Sequence, residues 1–157
     1  MRMWKLVIAA WMLSLISSFY GQQEQHYVIL PAQEASAVAS LYPKKGPARI
    51  TGSWQASKEN IEGLEAYLSH ISDFKFRSRG SNDHIEHPDQ YFRQYVAALR
   101  AGRKMIFVNA FCEVQLFPGL RKSDHLLIVS DGGACFWHAF YDPETQKFSD
   151  FVVNGTA

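Results

Sequence analysis

The stretch Asp131-Gly-Gly-Ala-Cys-Phe-Trp-His-Ala-Phe-Tyr-Asp-Pro-Glu-Thr-Gln-Lys-Phe-Ser-Asp-Phe-Val-Val-Asn-Gly155 constrains the fold more than any other part of this chain. Ala134 to Tyr141 and Lys147 to Val153 are rich in aromatic and β-branched residues, which suit a pleated, half-buried surface. Asp142-Pro-Glu-Thr145 joins them, with proline where its fixed φ favours a turn. The pattern predicts a hairpin. In its first strand, alternation puts Cys135, Trp137, Ala139 and Tyr141 on one face, and Phe136, His138 and Phe140 on the other.

The same grammar recurs upstream. Tyr91 to Leu99 and Lys104 to Cys112 flank Arg100-Ala-Gly-Arg103, a second predicted hairpin. Leu126 to Ser130 is expected to be a further strand, turning through Asp131-Gly-Gly133 into Ala134. Before these strands, Ser57 is a good helix N-cap and Glu59 and Glu62 complement the dipole. Ile61, Leu64, Leu68 and Ile71 recur at helical spacing, which predicts an amphipathic helix from about Lys58 to Ile71. The expected fold class is α+β, with one main amphipathic helix packed on a four- to five-stranded antiparallel meander sheet. Residues 54–157 would form this single domain. In residues 22–53, Tyr27-Val-Ile-Leu30 reads as a short strand or docking segment, and Pro31 and Pro43 bracket a helix-forming run from Ala32 to Leu41. That segment is expected to be peripheral.

Residues 1–21 read as a secretory signal. Arg2 and Lys5 precede an apolar run from Leu6 to Ile16, which is too short to span a bilayer comfortably. An uncleaved signal would be the only membrane anchor. The segment holds two of the 16 Lys+Arg and none of the 15 Asp+Glu, so the remaining 136 residues carry 14 against 15. Such a neutral chain offers no electrostatic footprint for nucleic acid. In a secreted or periplasmic chain, Cys112 and Cys135 are expected to form one disulfide, closing a loop of roughly 20 residues and adding about 3 kcal/mol.

Several residues are candidates for chemistry. Cys135 and His138 are three apart in a strand and point to opposite faces, so they cannot act as nucleophile and base; Cys112 with His125 remains the thiol alternative. His84-Ile-Glu-His87, flanked by Asp83 and Asp89, offers weak metal candidates in a loop, chiefly His84 and His87. Asp142, Glu144 and Asp150 cluster in the last hairpin, where local turn bonding accounts for them. The candidates for ligand binding are Arg93 and Gln94, the aromatic strand residues Trp137 and His138, and Phe117 in the long connection from Glu113 to Ser123.

Tyr91-Phe-Arg-Gln-Tyr95, Gly102-Arg-Lys-Met-Ile-Phe-Val-Asn109 with Cys112, Asp131-Gly-Gly-Ala-Cys-Phe136, and Tyr141-Asp142 through Asn154-Gly155 resemble motifs of small secreted bacterial proteins of unassigned function. The likeness spans about residues 54 to 157. It implies an exported bacterial single-domain α+β protein and supplies no catalytic residues. The helix-then-meander order is also similar to that of cystatins, whose inhibitory hairpin carries Gln-x-Val-x-Gly; here Gln94-Tyr-Val-Ala-Ala98 has alanine in place of the glycine. The expected function is a non-enzymatic binding or interaction module that takes a protein or small molecule and needs no cofactor. The alternatives are a small hydrolase or transferase using Cys112 or a histidine, and a structural envelope protein.

Overall fold

A computed structural model describes residues 26–43, 45–46, 48–78, 81–112 and 114–155, so the signal expected over 1–21 lies outside the described residues. Ten regular elements occur among them: β1 (Tyr27–Ile29), α1 (Ala35–Ser40), β2 (Ile50–Ser53), α2 (Lys58–Tyr67), β3 (Phe76–Ser78), β4 (Ser81–Asp83), β5 (Phe92–Arg100), β6 (Arg103–Phe111), β7 (Phe136–Asp142) and β8 (Lys147–Val153). The main sheet runs β1-β5-β6-β7-β8, with β2 also paired to β5; β3 and β4 form a separate ribbon.

The α+β class is correct, but the sheet is mixed rather than an antiparallel meander. β1 lies parallel to β5 over Tyr27–Ile29 against Arg93–Tyr95, and β2 lies antiparallel to the far end of the same strand. Parallel pairing needs a long crossover, and the chain supplies one by passing over the sheet before it re-enters at β5. The stretch expected to be peripheral is therefore built in. Leu30, Ala35 and Val38 are buried against Val96, Ala98, Met105, Phe107 and Phe140.

The two predicted hairpins form. Ala101 and Gly102 both have positive φ, 49° and 86°, as the tight β5–β6 turn requires. In the β7–β8 turn, Asp142 Oδ1 accepts from the amides of Glu144 at 2.9 Å and Thr145 at 3.2 Å. The helix begins as expected, with Ser57 and Asn60 exchanging bonds in a capping box. It tightens into a 3-10 helix over Leu68–Asp73, whose three-residue period keeps Leu68 and Ile71 on one buried side. Ile61, Leu64, Leu68 and Ile71 pack on Tyr95, Ile106, Val108, Ala110, Trp137, Ala139 and Tyr141. The sheet is thus covered on both faces: α2 on one, α1 and the 114–130 connection on the other.

Leu126 to Ser130 is not a strand. Its backbone bonds go to side chains instead. Gln94 Nε2 donates to the His125 carbonyl at 2.8 Å, and the Leu127 amide donates to Gln94 Oε1 at 2.9 Å. Asn109 Nδ2 donates to the Leu127 carbonyl at 2.6 Å, Glu34 accepts the Leu126 amide at 2.7 Å, and Asn154 Nδ2 donates to Val129. An apolar run with β-branched residues thus finds its partners across a sheet face instead of along a sheet edge. The expected Asp131-Gly-Gly133 hairpin turn is also replaced. A 3-10 turn covers Gly133–Cys135, and Gly132 has φ 89° with Phe136 packed where its Cβ would lie.

Cys112 and Cys135 form the expected disulfide, with Cα atoms 4.9 Å apart and 23 residues of separation. The Cys112 amide donates to the Cys135 carbonyl at 2.9 Å, so the bond staples the β6–β7 pair where the long connection leaves β6 and enters β7. Replacing both cysteines with serine is expected to lower the unfolding free energy by about 3 kcal/mol in urea denaturation. The native protein should give no thiol titre with a thiol reagent; full labelling of both sulfurs without denaturant contradicts the pairing.

Candidate binding groove

Arg93 and Gln94 are adjacent in β5, so their side chains leave opposite faces of the sheet. Both are fully occupied with the protein itself. Arg93, 2% exposed, pairs with Glu65 of α2 at 3.0 Å and donates from Nε to the Tyr95 hydroxyl at 2.9 Å. Its Nη1 donates to the carbonyls of Pro88, Asp89 and Tyr91, and the Tyr95 hydroxyl in turn donates to Glu65. Burial holds the Tyr95 hydroxyl pKa well above its ordinary value. Gln94 uses its amide and carbonyl on the 125–127 segment. Neither has donors directed at solvent chemistry.

The structure separates the other ligand candidates. Trp137 is buried against α2, near Tyr91 and Phe151. His138 is on the opposite face, in one cross-strand row with Gln94 and Asn109. Its ring packs beside Phe107 at 5.5 Å and Tyr42 at 6.4 Å, and burial pulls its pKa below the ordinary value. Phe117 roofs a third apolar cluster, edge-on to Phe111 and Phe136 at 5.9 Å each. The aromatic face of β7 is therefore core on both sides.

The cysteines, bonded to each other, present no thiolate. His125 is engaged by Glu34 at 3.2 Å and Asp124 at 3.3 Å. His84 and His87 border a groove of about 380 Å3 with Glu86, Gln90, Tyr91 and Cys112. Among the described residues, no three His, Cys, Asp or Glu side chains come together in a metal-holding group. Elsewhere, His70 Nδ1 lies 2.9 Å from Asp73 and its ring stacks on Tyr67 at 5.7 Å. Thr145 lines the same groove, of about 460 Å3, without a hydrogen bond to the imidazole.

Solvent-facing polar groups gather at one end of the sheet. There the β5–β6 turn, the β7–β8 turn and the start of α2 meet around a groove of about 520 Å3, lined by Trp54, Asn60, Gly102, Arg103, Lys104, Pro143 and Glu144. Trp54 follows β2, and its Nε1 donates to the Met105 carbonyl at 2.9 Å, which fixes the indole against β6. Lys104 Nζ sits 5.3 Å from the Trp54 ring centroid, and no carboxylate of the described residues pairs with it. Arg103 pairs with Asp142 through Nη2, leaving its other donors outward. Asn60 spends its oxygen on the Ser57 amide and hydroxyl, at 2.9 and 3.0 Å, which leaves its amide hydrogens to the groove.

Sequence reasoning passed over Trp54, Asn60, Arg103 and Lys104. The available signal was topological: antiparallel hairpins β5–β6 and β7–β8 necessarily turn at the same end of a sheet. No family model, curated protein or solved structure gives a significant match to the chain. Among the described residues, no helix is long and apolar enough to cross a membrane.

The buried imidazole generates a pH prediction. Because folding lowers the His138 pKa, the neutral form is favoured in the folded state. Its contribution is complete above the ordinary value near 6.5 and is lost as pH falls through the folded value. His125 acts in the opposite sense, its pKa raised first by the Glu34 hydrogen bond. Comparing wild type with His138→Phe cancels that opposing effect. Urea midpoints should show the variant gaining stability relative to wild type as pH falls from about 7 to about 5. Parallel profiles would contradict the burial of this ring.

Proposed function

We propose that this is an exported binding module that takes a small polar ligand in the groove at the turn end of the sheet. The observation that carries this reading is Lys104, a cation with no carboxylate partner, held over the fixed face of Trp54. An exposed ammonium on an aromatic ring interacts favourably with the ring and leaves its charge open to an anion. Around it, Asn60, Arg103 and Glu144 supply donors and an acceptor that the fold leaves unused. By contrast Arg93 and Gln94, polar and central, have every role filled internally. The groove volume falls within the about 300–1,000 Å3 common for small-molecule sites. The disulfide supports export.

Hydrolysis is the second reading, favoured by the His70–Asp73 pair alone. A carboxylate-oriented imidazole is half of a hydrolytic arrangement, and the nucleophile is the missing half.

The test is an amide chemical-shift titration of the full chain with glucose, galacturonate, glutamate and inorganic phosphate. At least one probe should shift Gly102, Lys104, Glu144 and the Trp54 indole N–H as a group. Shifts confined to the His84–His87 or His70–Phe148 grooves, or none with any probe, would overturn the assignment.

A further inference from the structure

Resting on that reading of the groove, we infer that its ligand is an acidic saccharide, a sugar chain carrying ring carboxylates. Three features of the lining select this chemistry. The first is a partly exposed aromatic platform. Trp54 is held by its own Nε1 bond to Met105, so the indole surface that Lys104 leaves uncovered needs no reordering to receive C–H groups of a sugar ring. The second is a positive pole. Lys104 has no carboxylate partner and Arg103 is bound on one side only, by Asp142, so a carboxylate beside the platform meets two cations. The third is a mixed hydrogen-bonding rim. Asn60 offers amide donors and Glu144 a carboxylate acceptor. Sugar hydroxyls both donate and accept, and so use both kinds of group.

Competing anions fit less well. Phosphate carries roughly twice the charge of one carboxylate, so Glu144 in the lining opposes it more strongly than it opposes a uronate. Nucleic acid would need a basic stripe, whereas the groove sets Asp142 and Glu144 beside its two cations. An acidic peptide would need apolar side pockets for its intervening residues, and the apolar lining is limited to Trp54 and Pro143.

The experiment is a titration of the full chain, followed at the Gly102 amide and the Trp54 indole N–H. The probes are a galacturonate trimer, maltotriose, triglutamate and inorganic phosphate. The galacturonate trimer should bind with the lowest dissociation constant, weaken as salt rises, and lose about tenfold in affinity in Lys104→Gln. Lys104 is exposed and outside the core, so this variant should keep the wild-type unfolding midpoint. Equal binding of maltotriose, or indifference to Lys104→Gln, would overturn the acidic class while leaving a sugar groove. Equal binding of phosphate or triglutamate would overturn the saccharide and leave only an anion site. A groove silent to all four probes would sink this inference together with the binding reading beneath it.

Discussion

Two adjacent polar residues near the start of β5 organise the layers on either side of the sheet. Arg93 and Gln94 are almost wholly buried, and alternation sends one to each face. Arg93 ties α2, through Glu65 and the Tyr95 hydroxyl, to the carbonyls of the segment entering β5. Gln94 ties the 125–127 segment to the opposite face, with Asn109 alongside. Apolar packing alone would allow both covers to slide. A buried charge left without its partner costs about 3–5 kcal/mol, and an unsatisfied amide about 1–3 kcal/mol. These penalties give each cover one favourable register.

Closing both faces restricts where chemistry can occur. Aromatic residues that looked available on β7 are consumed by the core: Trp137 under α2, Phe140 under α1 and Phe136 beneath Phe117. What remains is the rim. At one end the disulfide staples β6 to the turn before β7. At the other, two hairpin turns and the capped start of α2 leave Trp54, Lys104 and Arg103 around the groove. The binding reading follows from this division between an interior closed on both faces and a rim whose polar side chains meet solvent.

Locally encoded features were legible in the sequence. The Ser57 cap, the Ala101-Gly102 turn, the Asp142 turn and the Cys112–Cys135 pair each depend on a few neighbouring residues or on a count of two cysteines. Features set by distant partners were not. Tyr27–Ile29 has strand composition in either direction, and only its pairing with Arg93–Tyr95 makes it parallel. Leu126 to Ser130 has strand composition too, but its donors and acceptors are taken by Glu34, Gln94, Asn109 and Asn154. Arg93 and Gln94 stood out as polar residues in an apolar strand. Nothing local distinguishes a residue that binds a ligand from one that binds its own fold. Lys104 escaped notice because the partner that gives it meaning, Trp54, lies fifty residues away in sequence.

Amide hydrogen exchange on Arg93→Met and Gln94→Met tests the claim that these neighbours act on separate layers. Gln94→Met should lower protection at Leu127, whose amide it accepts, and leave the α2 amides protected. Arg93→Met should do the reverse, loosening α2 around Glu65 while Leu127 stays protected. The same loss of protection across both layers in both variants, or none in either, would contradict the account.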